Sequence, residues 1–373
     1  MKHLDLESYR KVNEAFRRRM VCHIGIDCGF FVEMNFMVNA MLYCLAHRIR
    51  FQLYSEDANF GTGIGWTEYF LPFCEEVHES FHKRYNFHRL PSWHRILKAC
   101  CKQMSIGPLL WKLKSVFKTI IGRLIALVVY KEYVLFAQDV PSDPNQHYHI
   151  PELEINGTYY EVYGLLARMV WSFQPSIQQQ SAEYKASLHL PPLYDGVHIR
   201  GGDKAIETEL INGTCMMQKL NPKNGSCVFI LTDDYRQVLE LQNDYPNIRF
   251  LTLCQPEESG YVHKAFSLRS PQSRHEAIAR LIISADLLLA SRSFVGSITT
   301  GPSVFIMKQR VDDPLVQAVD CLKEELPSSL SLTIDVRADI SKRNLAMADA
   351  VSTNRLTGVG RTVDGNCQTN VRQ

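Results

Sequence analysis

Val197-His198-Ile199-Arg200-Gly201-Gly202-Asp203-Lys204 is an apolar run that ends abruptly in charge and glycine. Leu193, Val197 and Ile199 bring in the alternation of a strand, and within seven residues the chain meets His, Arg, two glycines, Asp and Lys. A buried strand that ends this way suits an anion: glycine lets the backbone come close, and the guanidinium offers a planar fork of donors matched to phosphate. A basic turn that merely follows a strand would look similar. A second stretch makes the first more telling. Val228-Phe229-Ile230-Leu231-Thr232-Asp233-Asp234 reads as another buried strand, ending in paired carboxylates.

Working outward, the pattern predicts strands over 194–200 and up to Thr232, a helix over 235–244, a strand over 248–253, a helix over 274–284 and a strand over 286–291. Regular alternation of strand and helix favours a parallel sheet with helices on both faces, and ligands of such sheets sit at the carboxyl ends of strands. Arg200 and the Asp233-Asp234 pair fall at those ends. The pair has two readings, a cap on the helix that follows or a contact to substrate. Adjacent carboxylates point in different directions, so a metal site built on them alone is not expected.

Upstream, the expected order is a strand over 20–26, a Cys-Gly-Phe-Phe turn, and a helix carrying Met34, Met37, Val38, Met41, Leu42 and Leu45 at helical spacing. A strand over 51–54 comes next, followed by a loop with Gly61, Gly63 and Gly65. That spacing is not a dinucleotide fingerprint, because the third glycine comes one position early. Helix-rich sequence from Pro72 to about Lys131 and helices over 159–173 and up to Leu188 complete this half. The expected division is an N-terminal α/β, helix-rich domain over 1–184, a Rossmann-like nucleotide-binding domain over 185–330, and a partly mobile tail over 331–373.

Composition narrows the classes. With 46% hydrophobic and 21% charged residues the chain can bury real cores, and a net charge of +2 argues against a dedicated nucleic-acid binder. Eleven cysteines without a CxxC pair fit reduced thiols of a cytoplasmic protein better than a zinc ribbon or disulfide framework. The first twenty residues lack the apolar core of a signal peptide. The most apolar stretch, 116–130, is interrupted by Lys118 and Arg123. It reads either as a core helix whose bases snorkel, or as a peripheral membrane contact helped by Lys112, Lys114 and Lys118.

The run from Gly196 to Lys204 resembles the donor-binding motif of the alpha-1,6-fucosyltransferases, a family that includes the rhizobial nodulation fucosyltransferases. Further stretches fall in the family's order: 21–35 with its Cys28-Gly29-Phe30 turn, Gly65-Trp66-Thr67-Glu68-Tyr69-Phe70, 169–175, 231–234 with 244–247, and 284–288. The resemblance runs from about residue 20 to about 310 and implies a two-domain α/β fold of the GT-B kind. It also implies an inverting glycosyltransferase that moves fucose from GDP-fucose to a hydroxyl of an oligosaccharide or glycoconjugate, without a required metal or other cofactor. By the same resemblance Arg200 would stabilise the leaving diphosphate. His198, Gly29, Phe30, Asp203, Asp233, Asp234 and Ser293 would build the donor pocket.

Several departures accompany it. Where the family carries a catalytic Glu this chain has Thr208, flanked by Glu207 and Glu209; Glu209 is placed ahead of Glu207 as the base, with Lys204 to hold it. Gly201 replaces a second Arg, and Ala279-Arg280 stand where an Asp meets guanine. Another GDP-sugar, or a sugar-nucleotide binder without catalysis, therefore stays open. The animal members' anchor, stem and SH3 domain are not visible in the sequence, so a bacterial-type enzyme is expected.

Overall fold

The computed structural model describes residues 4–24, 29–56, 58, 60–85, 97, 100–101, 106–137, 140, 143–202 and 211–330. The chain divides into two compact units, Met1–Gln179 with Arg269–Ala279, and Gln180–Leu268 with Arg280–Gln373. The expected tail over 331–373 lies outside the described residues.

The first unit opens with helix α1 (Leu6–Ala15), capped by Asp5, whose side chain accepts from Ser8 N. Strand β1 (Arg18–His23), helix α2 (Phe30–Ala46) and strand β2 (Ile49–Tyr54) follow. Then come β3 (Glu75–Glu76), a short α3 (Phe81–Arg84), α4 (Gly107–Tyr130) and β4 (Val134–Ala137). All four strands pair in parallel in the order β3-β2-β1-β4. The hairpin β5 (His147–Ile150) and β6 (Ile155–Thr158) leads into α5 (Tyr159–Val170), which is closed at its start by a Thr158–Glu161 capping box. Helix α2 is buried on nearly every side, as a helix apolar all round must be. Two of its three buried polar side chains are met by α5: Tyr159 OH donates to Asn39 Oδ1 and Tyr163 OH to Asn35 Oδ1, each at 2.7 Å.

The second unit is a five-stranded parallel sheet. Helix α6 (Pro175–Ser187) leads to β7 (Asp195–Ile199), α7 (Gly213–Leu220), β8 (Cys227–Thr232), α8 (Tyr235–Asp244) and β9 (Arg249–Thr252). Helices α9 (His263–Ser267) and α10 (Pro271–Ala290) precede β10 (Phe294–Gly296), α11 (Gly301–Gln309) and β11 (Val316–Ala318). The strand order is β11-β10-β7-β8-β9. On one face Met216 and Met217 of α7 and Val238 and Leu241 of α8 pack with Val197, Val228 and Ile230. The chain is thus α/β throughout, with the Rossmann-like parallel sheet expected for its C-terminal half.

Two expectations fail. The strand foreseen over 286–291 is the last part of α10, which runs unbroken to Ala290; the strand is Phe294–Gly296. Ile282, Ile283, Leu287 and Leu288 are fully buried at helical spacing, and a buried helix end has the same unrelieved apolar look as a short buried strand. The core-helix reading of 116–130 also fails. Only Lys112, Gly122 and Ala126 of α4 are buried, while Phe117 is 65% and Leu124 58% exposed.

Candidate functional site

Strand order locates the site before any side chain does. From β7 the chain winds outward through β8 to β9, then crosses back to place β10 on the other side of β7. The reversal falls between β7 and β10, and open parallel sheets take their ligands outside the carboxyl ends of the strands at such a point. Register sets Phe294 opposite Gly196 and Val295 opposite Val197, so Arg200 and Ser297-Ile298-Thr299-Thr300 leave adjacent strand ends.

Arg200 is fixed there. Its guanidinium pairs with the Asp233 carboxylate at the end of β8, and its Cζ lies 4.9 Å from the centroid of the Tyr261 ring. Asp233 is the hub of these contacts. Its Oδ1 accepts from Gly201 N at 2.7 Å and its Oδ2 from Tyr261 N at 2.9 Å, while its carbonyl accepts from Gly260 N at 2.7 Å. The loop 258–261 is thereby tied to the end of β7. Gly202 sits at φ +65°, where a Cβ would come within 2.1 Å of the Tyr261 carbonyl oxygen, so the turn requires glycine. A side chain at 201 would also crowd the site, since a Cβ there would stand 3.1 Å from Asp234 Cβ. That is a physical reason for Gly201 where the resembled family has a second Arg.

The paired carboxylates have separate tasks. Asp234 is the N-cap of α8, accepting from Arg236 N at 3.1 Å and from the Arg236 guanidinium at 2.8 and 2.6 Å. The bonds from Arg236 hold its carboxyl below the usual range despite partial burial. Capping thus accounts for Asp234, and holding Arg200 accounts for Asp233.

His198 is buried rather than open to a ligand. Its Nδ1 lies 2.7 Å from Ser303 Oγ and 3.2 Å from Thr300 Oγ1, joining β7 to the first turns of α11. Ser293 stands at the opposite, amino end of the strands. It precedes β10 and donates to Asp195 Oδ1 at 2.6 Å beside the Arg292–Asp195 ion pair, away from Arg200. The hydroxyls at the carboxyl end of β10 are Ser297, Thr299 and Thr300. Ser297 Oγ lies 2.6 Å from Thr299 Oγ1 and donates to Asp320 Oδ2 at 2.6 Å, and Ile298 N donates to Asp320 Oδ1 at 3.0 Å. Sequence reasoning named Ser293 in the segment 291–297 that ends at Ser297 and passed over Thr299 and Thr300, although hydroxyls directly before Gly301-Pro302 mark a helix start. Thr300 is the N-cap of α11 but makes no side-chain cap bond; its hydroxyl goes to the Ser297 carbonyl and His198.

In the first unit Gly29 is the N-cap of α2 and is exposed, with nothing within 4 Å of where a Cβ would stand. Phe30 is not exposed with it. Its ring stacks on Phe70 at 6.0 Å and meets Phe60 edge-on at 5.2 Å, so it serves the aromatic core. The glycine loop wraps the Glu68 carboxylate: Oε1 accepts from the backbone N–H of Thr62, Ile64 and Gly65 at 2.6, 3.0 and 3.2 Å. Burial alone would raise this carboxyl's pKa, but those bonds outweigh it and hold the group below the usual range. Asp203, Lys204, Glu207 and Glu209 lie outside the described residues. Among the described residues no cluster of His, Cys, Asp and Glu has the makeup of a metal site.

No protein-family model and no curated protein sequence matches the chain. Solved structures are similar to it. The fucosyltransferase NodZ from Bradyrhizobium is 13% identical with a TM-score of 0.46, over 80% of this chain and 93% of that one. NodZ alpha-1,6-fucosyltransferase soaked with GDP-fucose is 12% identical with a TM-score of 0.45, over 79% and 93%. A mutant of Arabidopsis thaliana FUT1 in complex with GDP is 11% identical with a TM-score of 0.45, over 81% and 73%.

Proposed function

We propose that the chain is an inverting, metal-independent glycosyltransferase that moves fucose from GDP-fucose to a hydroxyl of an oligosaccharide or glycoconjugate. The observation that carries this reading is the fixed guanidinium of Arg200 at the carboxyl end of β7, one strand from the N-terminus of α11 at the sheet's reversal point. Departure of GDP from a sugar carbon develops negative charge on the terminal phosphate. A cation already oriented by Asp233 and Tyr261 meets that charge without reorganising, which is where electrostatic catalysis is strongest. Glycines 201 and 202 let backbone approach the diphosphate, and the helix terminus adds N–H donors and a favourable dipole.

Asp233 is a positioning residue in this scheme, and His198 holds the helix terminus against β7. Inversion needs a base for the acceptor hydroxyl; Glu209 or Glu207, supported by Lys204, is proposed for that task on the family resemblance. Asp203 is proposed beside the donor on the same ground. A second reading, transfer from another GDP-sugar, is favoured by Arg280. It stands where the resembled family carries an Asp and is engaged with Glu258 at 2.7 Å.

The test is GDP release from GDP-fucose with and without a panel of oligosaccharide acceptors. Acceptor-stimulated release from the wild type, lost in Arg200→Ala, supports the proposal. Release that ignores Arg200, or occurs only with a different sugar, overturns it.

A further inference from the structure

The apolar surface of α4 is turned the wrong way for a soluble helix. The stripe that faces the protein is small or polar. Gly122 and Ala126 are buried, Ala126 packs with Val21, Tyr54 and Val134, and Lys112 is buried on the same side. Ser115 and Thr119 lie on this stripe as well and turn their hydroxyls back into the helix, donating to the carbonyls of Trp111 and Ser115 at 2.9 Å. The large side chains point outward. Leu110, Leu113, Phe117, Ile120, Leu124 and Val128 recur every three or four residues on one face and are 48–77% exposed. At 24 residues the helix is about 36 Å long, so the patch far exceeds the scattered apolar groups normal on a surface.

Charge names the occupant. Residues 81–131 hold eleven Lys and Arg and no Asp or Glu. The whole chain has 41 bases and 39 acids, so the remainder has 30 bases and 39 acids. In sequence, all positive excess thus falls in the segment that contains this one apolar helix, and on the helix itself Lys114 and Lys118 stand beside its outward face. Among the described residues no helix is long and apolar enough to cross a membrane. A nucleic acid would match the charge but not the row of Leu, Phe, Ile and Val, and a second copy would match the row but repel its own bases. An apolar face flanked by bases fits a surface whose headgroups are anionic and whose interior is hydrocarbon.

We propose that α4 lies in the plane of a bilayer carrying anionic lipid, its Leu110–Val128 face in the acyl boundary and Lys114 and Lys118 at the phosphate level. Trp111, itself 43% exposed, stands where an indole reports the transfer.

The experiment is flotation of the full chain with phosphatidylcholine vesicles and with vesicles that also contain phosphatidylserine, at low and high salt, alongside its mass in solution. Expected are binding to the anionic vesicles, weakening with salt, and a blue shift of indole fluorescence absent in Trp111→Phe. Phe117→Ser with Leu124→Ser should cut vesicle binding roughly 10- to 100-fold, and Lys114→Glu with Lys118→Glu by tenfold or more. Because these side chains are exposed, the variants should melt with the wild type and keep its nucleotide affinity. A variant that fails to fold is replaced by the milder Leu113→Ser or Val128→Ser. A chain that ignores both vesicle types overturns the proposal. So does a dimer dispersed by the Phe117 and Leu124 changes, or retention on duplex nucleic acid that they leave intact.

Discussion

Replacing Asp233 by Asn keeps the shape of the hub while removing its charge and one acceptor. The carboxylate serves three donors: the N–H of Gly201 at 2.7 Å, the N–H of Tyr261 at 2.9 Å, and the Arg200 guanidinium. Asn has one oxygen, so whichever way it turns, its NH₂ must face at least one of those donors. A hydrogen bond to a charged acceptor contributes about 1.5–3 kcal/mol. The Arg200 and Asp233 side chains are 22% and 21% exposed, so water reduces the charge contribution. The net expectation is a loss of roughly 2–4 kcal/mol in the second unit. For a unit of this size that lowers its melting temperature by about 5–15 °C. Arg200 retains its charge but loses its fixed direction, so nucleotide affinity should fall about tenfold or more. Scanning calorimetry of the full chain reads the first quantity and nucleotide titration the second. A variant that melts within ~1 °C of wild type and binds nucleotide equally well would refute the hub role.

Further outcomes follow from the same geometry. Arg200→Ala should lower turnover about 10²–10³-fold while the unit stays folded, because Asp233 keeps its two backbone partners; wild-type turnover would remove Arg200 from the chemistry. Gly65→Ala should cost about 3 kcal/mol or more, since Gly65 sits at φ +92° and a Cβ would stand 2.2 Å from Ser55 Oγ; an unchanged denaturation midpoint would contradict the packing described. His82 is buried between His23 Nε2 at 2.9 Å and Tyr130 OH at 2.6 Å, and burial lowers its pKa from 6.5 to about 4 despite the opposing pull of Glu79. The unfolded chain therefore takes up a proton that the folded chain refuses. Stability from this group is present above about pH 6.5 and is lost as pH falls towards 4, a difference of about 3 kcal/mol. Urea denaturation across that range should show a steeper loss for wild type than for His82→Gln, and parallel slopes would refute the assignment.

Strands β7, β8 and β9 and helix α8 were legible because strong local signals agree there: apolar runs of strand length, and an Asp cap whose helix starts where the pattern says; helix α7 between β7 and β8 was not foreseen. Legibility failed where two structures share one pattern. The Leu287-Leu288-Leu289 run suits a buried helix end as well as a strand, and only the packing of α10 decides. Ser293 was expected at the donor on the family resemblance alone, and the structure places it before β10, at the other end of that strand from Ser297 and Thr300. His198 lay in the right motif, but alternation along β7 turns its side chain towards α11 and away from solvent. Helix α4 misled for a different reason. Apolar content implies burial only when the apolar side faces the protein, and the sequence does not say which side that is.

The central claim is a nucleoside diphosphate site centred on Arg200. Its most direct test is calorimetric titration of the purified chain with GDP, UDP and ADP, with and without magnesium, on wild type and Arg200→Ala. The account predicts that wild type binds GDP in preference to the other two, that magnesium makes no difference, and that Arg200→Ala loses the binding while keeping its melting temperature. Preference for UDP or ADP, a strict need for magnesium, or full GDP affinity in Arg200→Ala would contradict it.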